Sequence, residues 1–262
     1  MMSLRDVKRV IARADVVVEV VDARDPWATR SPEIERYAVR LGKPLLVVVN
    51  KSDLVPRDVL EKWRKVLEKH FPVVFISATK RMGTRMLWRS LRRVAPRKPR
   101  GKPVVAAVVG IPNVGKSTII NYLKGSHSVG TSPIPGFTKS ITRLRAAGWL
   151  RVIDTPGVVP RMSQEELALR GALRPESLDD PVPAAKKLLE LIMCKKPGLL
   201  KELYDVEAED PVVFLENLAR RRGLLGKGGV PLVEEAARIV LRDWQTGKNT
   251  FYLEPEDYGL SA

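Results

Sequence analysis

The residues best suited to chemistry form a glycine-bounded segment, Gly110–Thr118, which reads GIPNVGKST. It fits the pattern G-x-x-x-x-G-K-[ST] and lies between a predicted strand and a predicted helix. Glycines allow a tight turn whose backbone N–H groups converge on phosphates, and the following helix adds the positive end of its dipole. Lys116 would reach the β- and γ-phosphates, and Ser117 would supply a hydroxyl to Mg²⁺. The predicted phosphate contacts of this loop are Asn113, Val114, Gly115, Lys116, Ser117 and Thr118.

A second segment, Asn50-Lys51-Ser52-Asp53, follows the apolar run LLVVV. A carboxylate at Asp53 would accept hydrogen bonds from two guanine N–H groups that adenine does not present in the same arrangement. Asn50 would hold the turn and the base, and Lys51 would lie along the base plane. Taken alone, this tetrapeptide is a common surface turn. Its position after a strand, where α/β sheets bind ligands, favours a base-specificity loop.

Ser77-Ala78 follows the predicted strand VVFI and would bring the Ala78 N–H to the guanine O6. The pair is weak evidence by itself. Together with the segment that ends at Asp53, it predicts recognition of GTP and GDP.

A further segment, DTPG, begins with Asp154 at the end of a predicted strand. Asp154 would hold Mg²⁺ through water, and the Gly157 N–H would contact the γ-phosphate. Thr138 lies in a stretch rich in Gly, Pro and Ser, as a switch loop should, and its hydroxyl would cap Mg²⁺ only when the γ-phosphate is present. The predicted catalytic residues are Lys116, Thr138 and Gly157, and the predicted Mg²⁺ ligands are Ser117, Thr138 and Asp154.

The elements that position these segments alternate between apolar runs and amphipathic stretches, which predicts a parallel sheet with helices on both faces. A linker rich in Pro and Gly, Ala95–Pro103, interrupts the alternation. The predicted strands are Ala14–Val21, Pro44–Val49, Val73–Ile76, Val104–Val109 and Trp149–Ile153, and the helices between them are Ser31–Leu41, Arg57–Lys69 and Thr84–Val94.

After Gly157 the pattern predicts helices only, at Gln164–Arg170, Pro183–Met193, Pro211–Arg222 and Pro231–Trp244. The fold class is therefore α/β, a P-loop domain at residues 1–175, followed by a small all-α domain at residues 176–262.

The order of the motifs is unusual, because guanine recognition precedes the phosphate loop. The linker joins the helix that is normally last in such a domain to the strand that is normally first. In this order the sequence resembles the circularly permuted GTPases of the YlqF/RbgA type. The resemblance covers nearly the whole chain and rests on VDARDP (21–26), NKSD (50–53), GIPNVGKST (110–118), PGFTK (135–139), DTPG (154–157) and the tail at 214–248.

The resemblance implies a Mg²⁺-dependent GTPase that docks on ribosomal RNA during assembly of the large ribosomal subunit. It also implies a potassium ion bound at Asn113, which would bridge the phosphates as an arginine finger otherwise does. Val158 stands where signalling GTPases carry a water-orienting Gln, so a low intrinsic rate is expected.

The chain departs from bacterial members, whose N-terminal segment carries a histidine held to be catalytic. Only His70 and His127 are present. His70 is expected to cap the end of a helix, and His127 lies in the expected switch loop. The group that orients the attacking water therefore stays unassigned.

The net charge of +16 favours a polyanionic partner, either nucleic acid or an anionic membrane surface. From Lys80 to Lys102 there are ten basic residues and no acidic one. We expect Arg85, Arg89, Arg92 and Arg93 to form a helix face opposite Leu87 and Leu91, and Arg220, Arg221 and Arg222 to form a second cluster. A solvated face without a partner is the alternative.

The lengths of the apolar runs and the cysteine content indicate where the protein acts. No apolar run reaches the ~20 residues that a bilayer span requires, and Cys194, the single cysteine, suits a reducing cytosol. The expectation is a cytoplasmic monomer that binds no membrane. Three functions stay open: a GTPase acting as an assembly timer, an RNA-binding assembly factor with structural GTP, and a membrane-surface regulator.

Overall fold

The computed structural model describes residues 4–124, 142–155 and 162–261. Six strands form one sheet in the order β3-β2-β1-β4-β6-β5, in which all neighbours are parallel except β5 and β6. The strands are β1 (Val16–Asp22), β2 (Leu45–Asn50), β3 (Val73–Phe75), β4 (Val104–Val109), β5 (Thr142–Ala147) and β6 (Leu150–Asp154).

The helices of the sheet-containing part are α1 (Leu4–Arg13), α2 (Pro26–Thr29), α3 (Pro32–Arg40), α4 (Arg57–Leu67), α5 (Thr84–Val94) and α6 (Lys116–Lys124). Further along the chain lie α7 (Gln164–Leu169), α8 (Val182–Lys195), α9 (Pro197–Tyr204), α10 (Pro211–Arg221) and α11 (Val233–Thr246).

The central strands are buried on both faces, as strands of a parallel sheet usually are. Every residue of β1 and β2 is buried, which explains their β-branched and apolar composition. The apolar sides of α1, α3 and α4 pack on one face of the sheet, and those of α5 and α6 pack on the other. The predicted α/β class is thereby confirmed.

Helix α3 lies within the predicted helix Ser31–Leu41 and begins after Ser31, with Pro32 at its first position. The Ser31 hydroxyl makes no capping bond, however. Its backbone N–H instead donates to Glu19 Oε1 at 2.7 Å. Glu19 is a fully buried carboxyl on the central strand, and burial together with the nearby Glu35 raises its pKa well above the usual value.

The chain divides into two compact units, residues 1–161 with 252–262, and residues 162–251. The predicted boundary was near 175; here the second unit begins at residue 162, and the last segment of the chain belongs to the sheet-containing unit. The backbone N–H of Leu253 donates to Arg24 O at 2.8 Å, and the Trp63 indole donates to Leu253 O at 2.9 Å.

The described residues of the second unit form helices α7 to α11, without a strand. In the described ranges of both units, no helix is long and apolar enough to cross a membrane.

Candidate nucleotide-binding site

The phosphate loop joins β4 to α6 and depends on backbone conformations that glycine permits. Gly110 has φ +145° and Gly115 has φ +99°, where side chains are rarely tolerated. A Cβ at Gly110 would lie 2.5 Å from Val20 O on the adjacent strand β1. Asn113 adopts a left-handed conformation with φ 62°. The loop is therefore held tightly against the sheet, and helix α6 starts directly behind it.

Lys116 is the first residue of α6, and its side chain folds back along the loop. Its Nζ donates to Ile111 O at 2.7 Å, and the residue is only 7% exposed. Burial lowers the pKa of Lys116 to about 8, and the Asp154 carboxylate acts in the opposite direction. An anion placed against this loop would favour the charged ammonium.

Asn50 connects three segments that are far apart in the sequence. Its Nδ2 donates to Val114 O in the phosphate loop at 2.8 Å, and its Oδ1 accepts from the Ala78 N–H at 3.1 Å. Asn50 is 4% exposed. One amide side chain therefore ties the base-specificity segment and the Ser77-Ala78 segment to the phosphate loop.

The contact between Asn50 and the phosphate loop is close enough to exclude a side chain at Gly115. A Cβ built there would lie 2.1 Å from Asn50 Nδ2. Position 115 thus requires glycine for two reasons: the Asn50 side chain leaves no room for a Cβ, and the positive φ disfavours other residues.

Lys51 takes part in a charged network that the sequence did not predict. The residue is left-handed, with φ 62°, and its Nζ lies 2.7 Å from Asp22 Oδ2. Arg24 Nη2 donates to the same oxygen at 2.9 Å. Burial by itself raises the pKa of a carboxyl, but the two cations hold the pKa of Asp22 well below its usual range. The first strand thereby anchors the lysine of the base-specificity segment.

Asp53 lies in a short 3₁₀ turn, Ser52–Leu54, with a side chain that is 10% exposed. Lys80 Nζ is 3.3 Å from Asp53 Oδ2. The Ser52 N–H donates to Ile76 O at 3.1 Å, which joins this turn to the segment containing Ser77. The structure therefore brings together the two predicted base-recognition segments.

Two of the predicted Mg²⁺ ligands lie in the described part of the chain. Asp154 ends β6, where it pairs with Val108 of β4, and Ser117 stands in the first turn of α6. The neighbouring Thr155 hydroxyl donates to Val108 O at 2.6 Å and fixes the end of β6. Thr138, Gly157, His127 and Val158 lie outside the described residues.

The two predicted basic clusters differ in their surroundings. Arg85, Arg89, Arg92 and Arg93 of α5 are all exposed, and within the described residues none of them forms an ion pair. On α10, Arg220 Nη2 lies 3.4 Å from Glu216, and Arg221 pairs with Asp205. The α5 face is therefore the less neutralised of the two.

The strand order reverses between β1 and β4, and the phosphate loop lies at the carboxyl end of β4. Ligands of open parallel sheets bind at such a switch point. This fold and site define a P-loop nucleotide-binding protein in which the predicted base-recognition segments precede the phosphate loop.

Comparison with known proteins agrees with this class. Residues 4–97 match the family model of the elongation factor Tu GTP-binding domain, and residues 105–216 match the model described as 50S ribosome-binding GTPase. An uncharacterised GTP-binding protein of Methanocaldococcus jannaschii is 36% identical over 97% of this chain and 68% of its own length. Nucleolar GTP-binding protein 2 of Schizosaccharomyces pombe is 35% identical over 97% of this chain and 48% of its own length.

The crystal structure of GNP-bound YlqF from T. maritima has a TM-score of 0.68 and 28% identity, over 96% of this chain and 97% of that one. The chain belongs to the YlqF family of circularly permuted GTP-binding proteins. It spans about two thirds of the Methanocaldococcus relative and about half of the Schizosaccharomyces relative.

Proposed function

We propose that this protein binds GTP, hydrolyses it slowly to GDP and phosphate, and acts in assembly of the large ribosomal subunit as a cytoplasmic monomer. The observation that supports the proposal is the pair of Asn50 hydrogen bonds, which links the predicted base-recognition segments to the predicted phosphate loop. A nucleotide bound there would contact segments from both halves of the permuted sheet.

In this site Asp53 would accept from the guanine N–H groups, with Lys51 along the base. The Ala78 N–H, predicted to reach guanine O6, is engaged by Asn50 in this structure. The phosphates would lie on the loop from Asn113 to Thr118, with Lys116 as the buried cation.

The donor set beside this loop fits Mg²⁺, which prefers oxygen ligands. Ser117 would offer its hydroxyl directly, and Asp154 would offer its carboxylate through water. When bound, the ion would neutralise charge on the β- and γ-phosphates. Thr138 and the Gly157 N–H are the further proposed contacts of the γ-phosphate side.

Potassium should accelerate GTP turnover relative to sodium, because Asn113 is the proposed ligand of a monovalent cation and Val158 cannot orient water. We expect a rise of roughly tenfold or more, since a cation on the phosphates replaces an arginine finger. The measurement is phosphate release in KCl and NaCl at equal ionic strength. Equal rates in the two salts, or an Asn113→Ala variant with an unchanged potassium response, would contradict the assignment.

The proposed role in ribosome assembly is supported by one family match and by one surface of the structure. The family model that matches residues 105–216 is that of a 50S ribosome-binding GTPase. The exposed arginines of α5 give a surface suited to phosphates, since within the described residues they carry no neutralising partner. The α5 face, formed by Arg85, Arg89, Arg92 and Arg93, is the proposed docking surface.

Replacing Arg85, Arg89 and Arg93 by Ser should weaken binding to large ribosomal subunits and flatten its salt dependence. On a duplex, the slope of log affinity against log salt falls by about 0.9 for every phosphate that the protein no longer neutralises. GTP affinity should persist, because none of the three residues lies in a nucleotide segment. Sedimentation with purified subunits at several salt concentrations measures the effect.

A matched control removes three positive charges from the opposite face of the sheet, through Arg36, Arg40 and Lys65 on α3 and α4. This control should bind subunits almost as the parent does. Equal losses in the two triple variants would show that net charge, and not the α5 face, governs binding.

The same basic surface also favours a second candidate, an RNA-binding assembly factor in which GTP is a structural ligand. Turnover measured with and without large subunits separates the two. A turnover rate that subunits stimulate supports a GTPase that times assembly. A negligible rate in both conditions supports a factor in which GTP is a structural ligand.

A further inference from the structure

The linker between the two halves of the sheet borders a groove of ≈ 620 Å³ that the nucleotide site does not use. Its volume falls within the range of about 300–1,000 Å³ that is usual for ligand sites. The walls are formed by the end of α5, the linker and the turn that precedes β6. All of these residues belong to the sheet-containing unit.

The groove is strongly basic. Its lining, within the described residues, contains five cations and no carboxylate. One of the five, Lys98, is held by Asp15, with 2.7 Å between Nζ and Oδ1. The other four are exposed and form no ion pair among the described residues; they are Arg92, Arg97, Arg100 and Lys102.

An aromatic ring completes the groove. The Arg92 guanidinium lies over the indole of Trp149, 5.3 Å from the ring centroid. The indole in turn packs edge-on against Trp88, with ring centroids 6.0 Å apart. The β4 backbone also holds Trp149, since the Val104 N–H donates to its carbonyl at 2.8 Å. The groove thus presents a planar cation over an aromatic ring, beside long, exposed side chains suited to binding phosphates.

We propose that this groove binds single-stranded RNA. A base would stack on the Arg92–Trp149 pair, and flanking phosphates would contact Arg97, Arg100 and Lys102. Stacking platforms combined with a basic track are the usual means of binding unpaired strands. The inference rests on the proposed role in ribosome assembly, but it assigns unpaired nucleotides to a groove that shares only Arg92 with the α5 face.

Two other ligand classes fit the groove less well. An acidic peptide would satisfy the cations but would make no use of a planar stacking surface. A duplex presents its bases already stacked, so it would contact the cations alone.

The test uses the full chain loaded with GDP and a fluorescent oligouridine of about ten nucleotides, a length within the ~4–16 nucleotides that one single-strand-binding OB fold covers. We expect the oligouridine to bind more tightly than a duplex of equal length. Arg97, Arg100 and Lys102 replaced together by Ser should weaken it at least tenfold and reduce the salt slope by about 2, at ~0.7 for each phosphate. Fluorescence anisotropy at several salt concentrations gives both quantities.

Two further variants test the stacking surface. Trp149→Ala should weaken binding about tenfold, and Trp149→Phe should restore most of the affinity, because a ring is retained. GDP affinity and thermal unfolding identify any variant that fails to fold. The Arg36, Arg40 and Lys65 triple variant is the charge control.

Equal binding of the oligouridine and the duplex would overturn the proposal. Inorganic phosphate or polyglutamate that displaced the labelled oligouridine as well as unlabelled oligouridine does would also overturn it. An affinity unchanged in the groove variants would do the same. None of these results depends on GTP turnover or on ribosomal subunits, so failure of this inference is distinguishable from failure of the proposed function.

Discussion

Replacing Asn50 by Ala should remove most GTP affinity and lower the free energy of unfolding. The change leaves the Val114 carbonyl and the Ala78 N–H without their buried partner. Each unsatisfied group costs about 1–3 kcal/mol, so a loss of stability of about 2–6 kcal/mol is expected for the two together. GTP affinity should fall more than a hundredfold, because the base and phosphate segments lose their connection. Urea unfolding and titration with a fluorescent GTP analogue measure the two effects.

Asn249 offers a matched control in the second unit. It is fully buried, and its Oδ1 accepts from the Phe251 N–H at 3.0 Å. Asn249→Ala should therefore lose stability while GTP affinity at low temperature stays close to that of the parent. If Asn50→Ala behaves in the same way as this control, Asn50 is structural and does not organise the nucleotide site.

Asp53→Asn should weaken GTP binding by about 3 kcal/mol, more than a hundredfold, because an amide faces two donors with only one acceptor. The same amide offers an N–H to a carbonyl, so xanthosine triphosphate, with a carbonyl in place of the guanine amino group, should bind the variant better than GTP does. Competition between the two nucleotides measures this switch.

Asp58→Asn is the control for charge, since Asp58 is an exposed acid in the first turn of α4. It should leave both nucleotides unaffected. An Asp53→Asn variant that retains the parent's preference for GTP would show that another group reads the base.

Much of the fold followed from local patterns. The β-branched runs that became β1, β2 and β4 are too short for helices, and Leu87 with Leu91 marked the buried side of α5. The phosphate loop was predictable because its chemistry requires glycines at fixed spacing. These signals lie within a few residues of one another, so the sequence carries them directly.

The missed features of the site depend on contacts between distant segments. Asn50 and Val114 are 64 residues apart, and no local pattern indicates that they meet. The Asp22–Lys51 pair depends on the register of β1 against β2. The bond from the Ser31 N–H to the buried Glu19 carboxyl on β1 likewise joins residues that no local pattern relates. The return of the Leu253 segment to the first unit has the same origin, since its partner Arg24 lies near the start of the chain.

The order of the strands has a consequence for how the molecule comes together. Strands β1, β2 and β3 are consecutive in the sequence and adjacent in the sheet, so they can pair as soon as the first 80 or so residues are made. Strand β4 joins later, along the free edge of β1. A guanine nucleotide bound as proposed would hold the early half through its base and the late half through its phosphates. By mass action, a ligand that binds both halves stabilises the paired sheet relative to the state in which β4 is not yet paired with β1. The nucleotide would therefore favour completion of the sheet.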